Sequence, residues 1–135
     1  MRCLPALLVL SAALAGAGCN AFVDDDRDLG TFGSFEVYQQ ARQAAEADLG
    51  RLIGDAEASG LSACRTVPVG AKACGGPTDF AVYSAEASEA AAIVQTAEEI
   101  TRMDEQANRE FGLGSDCAVT PEPTVVWVGG QCRAQ

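Results

Sequence analysis

A chain of 135 residues with nineteen acidic side chains, nine basic ones and no histidine carries a formal charge of −10 at pH 7. Such a surface repels phosphate backbones, which argues against nucleic-acid binding. The lack of imidazole removes the commonest general base and the commonest metal ligand.

The N-terminus reads as an export signal. Arg2 precedes an apolar run over residues 4–14, broken only by Pro5 and Ser11, and the small residues Ala15, Gly16, Ala17 and Gly18 stand before Cys19. The run is too short for a membrane-spanning helix. The cysteine directly after the small residues resembles a bacterial lipoprotein signal over residues 1–18, with Gly16 where that family usually has a branched aliphatic residue. The resemblance implies cleavage before Cys19 and acylation of its thiol, a palmitate-type anchor in the membrane that is stable when two or more chains are attached. By the same resemblance, Asn20 implies an outer-membrane location facing the periplasm. Ordinary cleavage after Ala17 is the alternative and leaves a secreted chain beginning at Gly18.

Cysteine counting bears on that choice. Without Cys3, and with Cys19 lipidated, four cysteines remain (Cys64, Cys74, Cys117 and Cys132), an even set suited to an oxidising compartment. Simple secretion leaves five.

Residues 19–33 form the lipidated cysteine and an acidic tether. Asp24, Asp26 and Asp28 alternate as in the first half of an EF-hand loop, but Leu29 stands where glycine is required and Phe35 where the bidentate glutamate belongs. A solvated spacer is the better reading.

The domain proper spans 34–135. A first helix is expected over 34–60, capped by Ser34 and ended by Gly60, with Val37, Ala41, Ala44, Ala45, Leu49, Leu52, Ile53 and Ala56 on one side. Gly50 and Gly54 should soften its last turns. A second helix is expected from Ser84 to Phe111, with Glu86 and Glu89 in its first turns and Gly112 after its end. Its apolar stripe is Ala90, Ile93, Val94, Ala97, Ile100, Met103, Ala107 and Phe111, and Glu98–Arg102 and Glu105–Arg109 are spaced as favourable pairs.

Three apolar runs read as strands: 64–69, 80–83 and 124–128. With antiparallel helices, a strand over 124–132 running beside 64–74 places Cys64 near Cys132 and Cys74 near Cys117, and those pairings are expected. The fold class is therefore α+β: two antiparallel helices on a small antiparallel sheet, pinned by two disulfides.

No catalytic constellation emerges. The four cysteines lack the close pairs of a zinc site, so disulfides are favoured over metal. Gly75-Gly76-Pro77 lacks the Lys-Ser/Thr ending of a phosphate loop and reads as a turn. Ser84 and Ser88 have no evident base. Trp127, among valines, reads as core packing; exposed beside Tyr83 or Phe80, it would anchor a ligand or protein partner.

Cys64, then Gly70-Ala-Lys-Ala-Cys74-Gly75-Gly76-Pro77, then Val82-Tyr83-Ser84, Ser115-Asp116-Cys117 and Gly130-Gln-Cys132 together resemble a group of small exported bacterial proteins without an established activity. That resemblance implies a disulfide framework and transfers no catalytic residue and no cofactor. The expected function is a non-enzymatic, lipid-anchored envelope protein that binds a protein partner or acts structurally. The alternatives are an inhibitor of a cationic envelope hydrolase such as lysozyme, and a small-ligand carrier or enzyme of unknown type.

Overall fold

In a computed structural model, which describes residues 30–135, the elements follow one another as α1 (Phe35–Ile53), a 3-10 turn (Leu61–Ala63), β1 (Cys64–Val69), β2 (Asp79–Ser84), α2 (Ala90–Phe111), β3 (Val125–Val128) and β4 (Gln131–Ala134). The class is α+β with two disulfides, Cys64–Cys132 and Cys74–Cys117. The strands, however, form two separate antiparallel pairs, β1 with β2 and β3 with β4. The signal, Cys19 and the alternating aspartates lie outside the described residues.

Ser34 caps α1 as expected: its backbone is extended and its Oγ accepts the Val37 N–H at 3.3 Å. The helix ends at Ile53, with Gly54 as its cap, rather than continuing to 60. Its buried face comprises Tyr38, Ala45 and Leu49, while Val37 is 50% exposed and Ala44 is exposed. The inward stripe is thus turned by about one residue from the expected one, and Tyr38 takes the place assigned to Val37.

The second helix corrects a larger expectation. Ser84 does not cap it but ends β2, buried, and the next residue, Ala85, donates its N–H to Ala63 O at 2.8 Å. This bond carries the ladder one step past Ser84, and the chain then turns, with Ala87 N–H donating to Ser84 O and Ala90 N–H to Ala87 O, so α2 starts only at Ala90 and Glu86 and Glu89 precede its first turn. Ile93, Ala97, Ile100, Met103 and Ala107 are buried as expected. Neither Glu98–Arg102 nor Glu105–Arg109 closes as an ion pair among the described residues; Arg109 donates to Gln106 instead.

The helices run antiparallel. Phe35 meets Phe111 edge to face at one end, with ring centroids 5.7 Å apart, and Ser59 meets Glu86 at the other. Ala45, Ala97 and Ala107, all buried, let the helix axes approach. Ile93 and Ile100 are fully buried, and truncating either to alanine should cost about 2–5 kcal/mol.

The β1–β2 ribbon uses both of its faces, as strand alternation requires. Val67, Val69, Ala81 and Tyr83 pack towards the helices, whereas Cys64 and Val82 join a smaller cluster with Ala56, Val125 and Cys132. The expected straight strand over 124–132 is a hairpin, with Trp127 opposite Cys132. Its two-residue turn, Gly129-Gly130, has φ of 62° and 85°, the backbone of a primed turn that side chains with Cβ seldom adopt. The disulfide pairing therefore matches the expectation, although β1 pairs with β2 and not with the C-terminal run. The hairpin lies across the end of the ribbon, bringing the Cys64 and Cys132 Cα atoms within 5.5 Å.

Candidate functional site

The most heavily wired residue is one that the sequence analysis passed over. Asp104 lies on the apolar stripe of α2 and is only 2% exposed. It accepts from Tyr38 Oη at 2.8 Å, Arg42 Nε at 2.7 Å, Arg42 Nη2 at 3.4 Å and the Ala71 N–H at 3.0 Å. A carboxylate withdrawn from water costs several kcal/mol unless paired and hydrogen-bonded, and these donors meet that requirement. The signal was present in the spacing: positions 93, 97, 100, 104, 107 and 111 alternate steps of four and three, so Asp104 fills a core position of its helix.

Each partner is itself held. Burial, then the bond to Asp104, pushes the Tyr38 hydroxyl up to about 12, so it stays protonated and donates. Burial works against the Arg42 charge, but the Asp104 hydrogen bond and charge outweigh it and keep the guanidinium above its ordinary pKa. Arg42 also pairs with Glu46 and reaches Thr78 Oγ1, which donates to Val69 O at 2.9 Å. Asn108 Nδ2 donates to Ala71 O at 3.0 Å. Gly70 makes the close approach possible: its φ is +73°, and a Cβ there would overlap Thr78 Oγ1 and Asp104 Oδ2.

Over this network lies a cleft of about 570 Å³, lined among others by Tyr38, Arg42, Lys72, Thr78, Asn108 and Ser115. Lys72 Nζ crosses it to Ala118 O at 2.7 Å and to Asp116 at 3.4 Å. The Ala118 N–H and the Lys72 charge hold the Asp116 carboxyl below its usual range. Cys74–Cys117 ties the loop after β1 to the segment after α2 with Cα atoms 5.3 Å apart. Arg42 and Lys72 are thus turned towards carboxylates of the protein itself, and the cleft is a braced recess. Among the described residues, no group of three or more Cys, Asp or Glu is placed to hold a metal ion.

A second candidate region lies at the far end of the helices. Ala58 N–H donates to Gly130 O, Cys132 N–H to Ala56 O and Trp127 Nε1 to Ala58 O, each at 2.9 Å. Trp127 is 42% exposed, so it is not the core residue expected from its valine neighbours. Val128, 59% exposed, and Leu61, 55% exposed, also belong to this end, where the 3-10 turn contacts β3. Glu86 accepts from Ser59 Oγ at 2.6 Å and from its N–H at 2.9 Å, and these bonds lower its pKa.

The three aromatic residues considered as one partner contact are not assembled into one. Tyr83 packs on the helix core and lines a groove between β1 and α2. Phe80, on the opposite face of β2, borders a cavity beside α1, and Trp127 stands on the hairpin. Ser84 Oγ is buried and accepts the Glu86 N–H, while Ser88 hydrogen-bonds Glu89. Gly75-Gly76-Pro77 forms a turn closed by Gly75 N–H to Lys72 O at 2.8 Å.

Comparison of the chain with protein-family models, with curated proteins and with solved structures finds no match.

Proposed function

We propose that the protein is a lipid-anchored bacterial envelope module, acylated at Cys19 and held at the periplasmic side of the outer membrane, which presents its domain to a protein partner. The observation that carries the reading is the pairing of Cys64 with Cys132 and of Cys74 with Cys117. Both bridges suit an oxidising compartment, and they use every cysteine of the domain without calling on Cys19. A stapled domain of about 100 residues gains rigidity that its small core alone would not supply. The half-exposed Trp127, an amphipathic ring with its N–H already satisfied, supports a binding role.

The test is intact mass measurement of the protein extracted from native membranes, followed by crosslinked pull-down beside a Cys19→Ala form. The expected outcome is a chain beginning at Cys19 with attached acyl groups, and one stoichiometric partner that is lost in the variant. An unmodified mass overturns the anchor; absence of any partner overturns the binding role.

A further inference from the structure

The two disulfides of the domain lie in opposite surroundings. Cys64 and Cys132 are buried, whereas Cys74 and Cys117 are both exposed. A thiolate opens a disulfide by attacking one of its sulfurs, so access sets which bridge exchanges first, and exposed bridges are the labile ones.

The exposed bridge also joins the two sides of the cleft. Ala71, Lys72 and Ala73 line one side and Leu113, Gly114 and Ser115 the other. Cys74 comes directly after the first run, and Cys117 is separated from the second only by Asp116.

The two sides are fixed very differently. The loop after β1 is tied down without the bridge: Asp104 accepts the Ala71 N–H and Asn108 Nδ2 donates to Ala71 O, both at 3.0 Å, and Lys72 N–H donates to Gly76 O at 2.9 Å. By contrast, among the described residues no backbone–backbone hydrogen bond involves 113–123. That segment is held by Leu113 packed on the core, by Thr66 Oγ1 donating to Glu122, and by Lys72 Nζ donating to Ala118 O at 2.7 Å and to the exposed Asp116 at 3.4 Å. Cys117 itself has φ of 53°, a left-handed backbone that an L-residue keeps only where its surroundings impose it.

We propose that Cys74–Cys117 is a thiol–disulfide exchange site for a dithiol reductant, and that its opening releases residues 113–123 from the rim of the cleft. One thiolate of the reductant attacks one sulfur of the bridge, forming a mixed disulfide and expelling the other cysteine as a thiolate, which takes up a proton. The second thiolate of the reductant attacks its partner's sulfur in that mixed disulfide, and the second cysteine leaves and is protonated. Two electrons and two protons thus pass to Cys74 and Cys117, and the reductant departs as a disulfide. Both acceptors of the Lys72 ammonium belong to the released segment, so opening gives the cleft an unpaired cation. Cys64–Cys132 and the Asp104 network lie outside the released segment and keep the core closed. The inference goes beyond the binding-module reading and depends on neither the anchor nor a protein partner.

The experiment treats the full protein, extracted from native membranes, with dithiothreitol under native conditions, traps free thiols with N-ethylmaleimide at intervals and maps each cysteine by peptide mass. Cys74 and Cys117 should be trapped at least about tenfold faster than Cys64 and Cys132. Lys72 is the one lysine of the chain and its side chain is 17% exposed, so an amine-acylating reagent reads the cleft directly. Its acylation should accelerate about tenfold on reduction and return on reoxidation. The double variant Cys74→Ser/Cys117→Ser should show the fast rate with no reductant present, and near-ultraviolet circular dichroism verifies its fold; the reduced native chain gives the same reading without it. In cells trapped with N-ethylmaleimide before lysis, the thiol fraction at Cys74 and Cys117 should exceed that at Cys64 and Cys132. Equal reduction rates for the two bridges, or equal thiol fractions in cells, overturn the exchange site. An unchanged Lys72 rate in the reduced chain overturns the release of 113–123.

Discussion

At the entry end of the domain, α1, α2 and the loop after β1 converge on a single buried carboxylate; at the far end, the hairpin, β1 and the 54–60 loop converge on a covalent bridge. The difference follows from the size of the apolar cluster around each. Asp104 is embedded in the main core, where both helices and the ribbon meet, and that core has enough packing to carry a charge network within it. The far cluster is built on Ala56, Cys64 and Cys132. Two four-residue strands over so little apolar surface are marginal without a staple. One region trades on satisfied polarity and is vulnerable to loss of a single partner; the other depends on oxidation.

The largest effect should come from breaking the network. Asp104→Ala leaves the half-buried Arg42 with Glu46 alone and the Tyr38 hydroxyl and Ala71 N–H without their acceptor, and a loss of about 3–5 kcal/mol is expected in denaturant unfolding with the disulfides intact. A loss below about 1 kcal/mol would mean that the existing Glu46 pair and water satisfy Arg42 and that the apolar core alone holds the helices.

Removing the staple comes next. Replacing Cys64 and Cys132 together by alanine should cost about 2–4 kcal/mol. The effect should be regional: amide exchange in β3 and β4 accelerates, while the α2 amides from Ile93 to Ala107 keep their protection. Uniform acceleration would show that the two ends unfold as one unit.

The smallest effect isolates one bond of the network. The Tyr38 hydroxyl titrates at about 12 in the folded protein against about 10 in the unfolded chain. Its contribution is therefore complete below pH 10, and it is lost as pH rises towards 12, because the unfolded chain releases its proton first. Stability should fall by about 2 kcal/mol across that window, and Tyr38→Phe should flatten the slope. An unchanged slope in the variant would place the alkaline loss elsewhere.

Much of the framework was legible because it is local or periodic. The Ser34 cap, the bounds of β1 and the buried stripe of α2 follow from one residue type at one position or from a 3.6-residue period. The Gly129-Gly130 turn was equally legible, since two glycines between Val-Val-Trp-Val and Gln-Cys-Arg-Ala are a strong hairpin signal; a single long strand was expected there because the apolar run was extended through it. Ser84 was harder to place. Its cap-like chemistry is real, but the bond from Ala85 to Ala63 keeps the segment in the ribbon, and that partner lies more than twenty residues away.

The candidate sites divide in the same way. The chain by itself determined the α+β class, the acidic surface and the four domain cysteines, because these depend on composition, period and count. Only the tertiary structure decided that Asp104 is a core residue, that Trp127 is half-exposed and that Tyr83, Phe80 and Trp127 face three different surroundings. Burial of a polar group and exposure of an apolar one are properties of what packs against it. For Asp104 those neighbours are Tyr38, Arg42 and Ala71, and for Trp127 the neighbour is Ala58, each brought there by the fold from a distant part of the chain.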